Sequence, residues 1–255
     1  MKTGFNEAAA PFISASQAAR IDTEAWAGAN MFCPSCGCAS LSPYPANRPV
    51  ADFFCAKCDE QYELKSQSRA FGRKVADGAY AVKMERLTSD TSPNLILLQY
   101  DRAKRRVEEV KVVPKFFFAP HTIERRKPLA PTARRAGWVG SNILLDRIPM
   151  SGKVPVIEGG VIRDRDEVLR EWNSLKFIER RLGEARGWLL EVLRCVDRIG
   201  RTEFGLGDVY SFEDEFAALF PDNSNVRPKI RQQLQRLRDA GHIQFLGGGR
   251  YRLVK

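Results

Sequence analysis

The sequence predicts a mixed α/β chain in two parts: an α/β body with a cysteine-stapled hairpin, and a small winged-helix unit at the C-terminus. Three observations predict it. Two Cys-x-x-Cys pairs bracket a strand, turn and strand; apolar runs of strand length alternate with a helical stretch; and the chain from 183 onward reads as three helices followed by a glycine-turn hairpin. At 255 residues, two domains over 1–182 and 183–255 suit the length.

The formal charge of +10 exceeds what solubility needs and favours a polyanion, with nucleic acid as the default partner. A basic surface without a ligand is the bland alternative. No run approaches the roughly 18 apolar residues of a membrane span, and the N-terminus has no basic-then-apolar signal. A cytoplasmic monomer with no membrane partner is expected.

In chain order, the alanine-rich segment 1–30 suggests one or two short helices. From Arg48 to Lys65 the pattern is a hairpin: Pro49-Val-Ala-Asp-Phe-Phe, the turn Cys55-Ala-Lys-Cys58, then Glu60-Gln-Tyr-Glu-Leu-Lys. Asp77 to Leu87 has helical spacing at Ala79, Val82, Met84 and Leu87. Leu95-Ile-Leu-Leu-Gln-Tyr suits a buried strand, and Val107 to Val113 returns beside it. Residues 124–138 hold five basic residues and two prolines without periodicity, a basic loop. Asp164 caps a helix running toward Arg181. Helices are then expected over Gly187 to Ile199, Ser211 to Phe220 and Val226 to Ala240, before the hairpin around Gly247, Gly248 and Gly249.

Cys33-x-x-Cys36, eighteen residues, then Cys55-x-x-Cys58 is a four-thiolate zinc pattern. Two knuckles close a tetrahedron with no open position, so the zinc is structural. A redox role for either pair is the competing reading, and Cys38 can stand in for Cys36. Cys195, in an apolar helix, reads as core. Asp52 precedes Glu63-Leu64-Lys65 by ten residues. In a strand Glu63 and Lys65 share a face and Leu64 takes the other, and the hairpin brings Asp52 to Glu63. Adjacent carboxylates of this kind suit Mg2+. With a backbone carbonyl near Leu64, they can hold the ion against a phosphodiester while water attacks in line, Lys65 orienting or deprotonating that water. An exposed strand face is the ordinary alternative. His121 reads as a loop residue and His242 as a helix-end residue, and two histidines are too few for histidine-based metal chemistry.

Arg48-Pro-Val-Ala-Asp-Phe, both cysteine pairs, Glu63-Leu-Lys-Ser, Asp77-Gly-Ala-Tyr-Ala, Lys127-Pro-Leu-Ala-Pro-Thr-Ala-Arg-Arg-Ala-Gly-Trp and Lys229-Ile-Arg-Gln-Gln-Leu together resemble the Dpn I family of restriction endonucleases. The resemblance implies a PD-(D/E)xK nuclease core with a zinc site, joined to a winged helix. It also implies cleavage of double-stranded DNA at GATC when the adenine carries an N6-methyl group, both domains reading the site. Carried over, Asp52, Glu63 and Lys65 match the catalytic triplet, and Cys33, Cys36, Cys55 and Cys58 the zinc ligands. Glu24 and Gln61 are weaker candidates for supporting the metal. The alanine-rich start, Cys38 and a wing short of charge depart from the family pattern, and the wing bears on sequence preference.

For reading DNA, Arg227, Lys229, Arg231, Gln232 and Gln233 on the last helix suit a recognition helix, unless it is merely a solvated basic helix. Arg250 and Arg252 alternate along the wing toward phosphate. Arg134 and Arg135 of the basic loop are expected on DNA. Trp138 either helps form an apolar niche for the methyl group or is buried core. A zinc-containing winged-helix transcription factor or methyl-DNA reader is the alternative function, and it has no need of Asp52, Glu63 and Lys65.

Overall fold

A computed structural model describes residues 1–5, 15–45, 51–87, 89, 92–180 and 183–254. The start of the expected first strand, Arg48 to Val50, the earliest alanine-rich residues and the boundary at 182 lie outside them. The elements are α1 (Ala15–Asn30), β1 (Ser42–Pro43), β2 (Phe53–Phe54), β3 (Gln61–Gln67), β4 (Lys74–Ala79), α2 (Tyr80–Arg86), β5 (Asn94–Asp101), β6 (Arg106–Val113), β7 (Ile123–Arg125), β8 (Gly140–Leu144), β9 (Val154–Glu158), β10 (Val161–Ile162) and α3 (Arg165–Leu175). The C-terminal part adds α4 (Gly183–Ile199), β11 (Glu203–Gly205), α5 (Leu206–Tyr210), α6 (Glu213–Leu219), α7 (Val226–Asp239), β12 (Ile243–Gly247) and β13 (Arg250–Leu253). Among the described residues, no helix is long and apolar enough to cross a membrane.

The main sheet has the order β1-β2-β3-β5-β6-β9-β10. β5 is the apolar run expected of a buried strand, with Leu95, Ile96, Leu97 and Leu98 all buried, and β6 lies antiparallel to it. β3 and β5 run parallel, with Glu63 opposite Leu95 and Lys65 opposite Leu97. Parallel neighbours need a crossover, and here it is built from β4 and α2. β4 leaves the main sheet to pair with β8, which also pairs β7 in a second sheet.

This crossover corrects the helix expected from Asp77. Lys74 to Ala79 is strand, with a register shift between Asp77 and Ala79 opposite Ser141 and Gly140, and helix begins only at Tyr80. The expected apolar face is also displaced. Val82 is 39% exposed, whereas Lys83 is buried. Ionic partners override apolar periodicity there.

The basic loop links β7 to β8 and is closed by Arg126 N–H to the Gly140 carbonyl (2.9 Å) and Leu129 N–H to the Trp138 carbonyl (3.0 Å). Asp164 caps α3, accepting from the Asp166 and Glu167 amides at 3.0 Å each, and that helix stops at Leu175 rather than running to Arg181. A short turn holds Gly152 against the core. A Cβ there would lie 2.7 Å from Cε1 and Cγ of fully buried Phe117. Gly152→Ala is expected to destabilise the fold by about 1–3 kcal/mol through overpacking. A lowered melting temperature checks this, and an unchanged one contradicts it.

In the C-terminal part, the helix expected at Ser211 to Phe220 is α6, and the short α5 before it, ending at Tyr210, was not expected. Glu213, Asp214 and Glu215 place negative charge at the start of α6, where the helix dipole favours it. Helix α7 is followed by the expected hairpin, and β11 completes a three-stranded sheet in the order β11-β13-β12. The hairpin turn runs through Gly247, Gly248 and Gly249, at φ of +88°, +55° and +74°, a conformation open chiefly to glycine. Cys195 is fully buried, as expected.

Both histidines of the sequence stand where the C-terminal part meets the rest of the chain. The His121 ring meets Phe220 edge-on, and burial pushes it down to about 4, leaving it neutral. His242 packs against Phe177 at a tilt of 36°, ring centres 4.6 Å apart, and places Nε2 3.0 Å from the Ser174 carbonyl. Asp197 of α4 accepts from the Met150 amide (2.6 Å) at the same junction.

Candidate active site

The four cysteines converge from two turns of the same construction. Cys33 N–H donates to the Cys38 carbonyl and Gly37 N–H to the Cys33 carbonyl; Cys55 N–H donates to the Glu60 carbonyl and Asp59 N–H to the Cys55 carbonyl. The residue after each second cysteine takes positive φ, Gly37 at +75° and Asp59 at +58°. Sγ of Cys33 lies 3.7 Å from Cys58 and Sγ of Cys36 lies 3.5 Å from Cys55, with all four sulfurs within 4.8 Å of one another. A zinc tetrahedron with bonds of about 2.3 Å has sulfur–sulfur edges of about 3.8 Å. The cluster can therefore hold a metal such as zinc. It uses Cys36, while Cys38 contributes its backbone. Burial pushes the Cys33 thiol well up and Cys58 up to about 11, so metal binding has to displace protons.

The second knuckle joins β2 to β3, which pair antiparallel with Phe53 opposite Tyr62. Asp52 sits just outside that pairing. Its amide donates to the Tyr62 carbonyl (2.9 Å), and its Oδ2 accepts from the Leu64 amide (2.7 Å). The hairpin is expected to bring Asp52 to Glu63; the contact found is with the backbone of Leu64. Asp52, Glu63, Leu64 and Lys65 line one cleft of ≈ 820 Å³. Leu64 is half-buried between that cleft and the core.

Helix α1 forms another wall. Buried Thr23 bridges to Ser66 Oγ (2.8 Å), which places Arg20 and Glu24, an ion pair at 2.5 Å, on the cleft beside Asp52. Glu24 is brought to the site as expected. Gln61 is not among the cleft residues: it lies opposite Phe54, where its carbonyl accepts from Asn94. Lys74 and Arg102 also line the cleft, cations that sequence reasoning did not single out.

Lys65 Nζ lies 2.7 Å from Glu63 and 3.0 Å from Asp77. Lys83 Nζ lies 2.8 Å from Asp77 and 3.4 Å from Glu63. Burial, with Asp77 beside it, raises the Glu63 carboxyl despite Lys83 and Lys65. Burial also works against charge on Asp77, but Lys83, a hydrogen bond with Glu63 and Lys65 reverse that and hold it well below the usual carboxylate range. Lys65 is held firmly protonated by Glu63 and Asp77 against the cost of burial.

A sequence model of the Dpn I family, described as the Dam-replacing family, matches residues 1–181, and one of the Dam-replacing HTH domain matches residues 184–253. The chain belongs to the Dpn I family. Dpn I is a family of restriction endonucleases, which supports a nuclease, and the helix-turn-helix match implies DNA binding.

Within the Dpn I helix-turn-helix match, Arg227, Arg231 and Gln232 of α7 are exposed and Lys229 is half-buried. Arg227 also pairs with Glu213 (2.7 Å) and covers the Tyr210 ring. Gln233, expected to face DNA, is instead 0% exposed, and its Oε1 accepts from Arg236 (2.9 Å). Val226, Ile230, Gln233, Leu234 and Leu237 form one buried helical stripe, so Gln233 points away from any ligand on the exposed face. Arg250 and Arg252 share one face as expected, both paired with Glu203 (2.9 and 2.7 Å). In the basic loop Arg134 and Arg135 are exposed, and Trp138 is half-buried rather than core. The Arg135 guanidinium lies 4.8 Å from the Trp138 ring centre, and the ring packs over Gly140.

Proposed function

We propose that this chain is a type II endonuclease that hydrolyses double-stranded DNA at GATC sites carrying N6-methyladenine. In this reading a PD-(D/E)xK core over 1–182 cuts, a winged helix over 183–255 helps to read, and the protein acts as a cytoplasmic monomer. The observation that carries it is the placement of Asp52, Glu63 and Lys65 in one cleft, in a member of the Dpn I family.

The donor set fits magnesium: two carboxylates on adjoining backbone that line the same cleft, with Leu64 beside them. Asp52, Glu63 and the Leu64 carbonyl would hold the ion. When bound, magnesium supplies Lewis acidity toward a phosphodiester oxygen and the hydrolytic water. Asp52 is fixed by the Leu64 amide and Glu63 by its lysines, so neither must reorganise far to bind. Lys65, with its Nζ 2.7 Å from Glu63 on the cleft wall, would orient or deprotonate the hydrolytic water. Arg20, Lys74 and Arg102 rim the cleft with charge suited to the DNA backbone. Zinc at Cys33, Cys36, Cys55 and Cys58 would fix the register of the strands carrying Asp52 and Glu63. Arg134, Arg135, Arg227, Lys229, Arg231, Gln232, Arg250 and Arg252 would hold the duplex. Trp138, steadied by Arg135, would offer the methyl group an apolar surface.

Incubation of adenine-methylated and unmethylated plasmid with the protein and magnesium tests the reading. Only methylated DNA is expected to be cut, at GATC, leaving 5′-phosphates. Methylated plasmid that stays intact refutes cleavage, and binding without cutting would leave a methyl-DNA reader.

A further inference from the structure

Asp77-Gly-Ala-Tyr-Ala is a motif with no place in the nuclease chemistry above, yet its first residue lies against that chemistry. Glu63, Lys83, Asp77 and Lys65 form a closed ring of alternating charge, each lysine touching both carboxylates at distances between 2.7 and 3.4 Å. Only Glu63 and Lys65 line the cleft. The Asp77 and Lys83 side chains are 4% and 6% exposed, so they stand behind the cleft and cannot touch DNA. Lys83 is further fixed beneath by the Phe118 ring, 5.4 Å from its Nζ. Both residues come from the crossover between β3 and β5, where the shifted register at Asp77 and the start of α2 at Tyr80 bring them under the catalytic strand.

A buried ion pair is weak evidence of stabilisation, because desolvation offsets its attraction. This one sits where reacting groups need fixed positions, and that gives it a use. We propose that Asp77 and Lys83 are positioning residues that hold the Lys65 ammonium and the Glu63 carboxylate at their working separation. Asp77 draws Lys65 Nζ back from Glu63, and Lys83 cancels the repulsion between Glu63 and Asp77. The inference rests on the nuclease reading.

The test compares Asp77→Asn, Lys83→Met and the double variant with wild type. It reads single-turnover cleavage with magnesium, duplex affinity with calcium in its place, and melting temperature. Each single variant is expected to cut about 10–100-fold more slowly, the cost of a misplaced reacting group, with affinity within about threefold of wild type. Removing both charges leaves no orphan, so the double variant should regain melting temperature while staying slow. Should a single variant fail to fold, the double decides. A double variant that recovers rate along with stability makes the pair merely structural and overturns the proposal. Restoration of Asp77→Asn by excess magnesium would also overturn it, by making Asp77 a metal ligand. Wild type that cuts nothing sinks the nuclease reading itself, and this inference with it; wild type that cuts alongside full-rate variants sinks this inference alone.

Discussion

Asp52→Asn is expected to slow cleavage roughly 10³-fold or more while leaving duplex binding and melting temperature near wild type. Asp52 has two separable tasks. One oxygen accepts the Leu64 amide at 2.7 Å and ties the end of the hairpin to β3. The carboxylate charge faces the cleft, where it is half of the proposed magnesium site. Asparagine keeps a carbonyl acceptor for Leu64 and loses only the charge. Alanine loses both and orphans a half-buried amide, at about 1–3 kcal/mol of stability. Loss of metal-assisted charge stabilisation is worth several kcal/mol, and each 1.36 kcal/mol is tenfold in rate. Single-turnover kinetics on methylated duplex, with calorimetric melting of both variants, separates the tasks. An Asp52→Asn protein that cuts at the wild-type rate removes Asp52 from the chemistry.

The second large effect concerns the cysteines. Cys55→Ser is expected to bring bound zinc from one per chain to nearly none and to abolish cleavage together with the native hairpin. Cys55 is fully buried, three residues beyond Asp52, in the turn that sets β2 against β3. Structural zinc contributes about 10–16 kcal/mol in small zinc peptides, against a total stability of about 5–15 kcal/mol for a typical domain. No plausible local repacking offsets a loss of that size. Cys38→Ser is the control: its side chain is outside the cluster, and zinc content should not change. Metal content, circular dichroism and cleavage measured on both variants decide the matter. A Cys55→Ser chain that stays folded and active refutes the staple.

The parts legible in the sequence are those encoded by neighbours along the chain. Two residues between cysteines fix a knuckle, and a run such as Leu95 to Leu98 announces a buried strand. Asp164 capped its helix, and the glycines at 247–249 turned the last hairpin, because each needs only local geometry. Gln233 was legible too, since its spacing from Ile230 and Leu237 puts it on the apolar stripe; its polar character obscured that.

The tertiary structure alone decided what surrounds Glu63 and Lys65. Lys83 stands 20 residues from Glu63 and reaches it only because β4 leaves the main sheet and α2 returns beneath it. Thr23 and Ser66, 43 residues apart, bring Arg20 and Glu24 to the cleft. Hydropathy read Asp77 to Leu87 as an amphipathic helix because periodicity records which residues avoid water. It is blind to a lysine buried with two carboxylates, whose place is set by charges that meet only when the chain is folded.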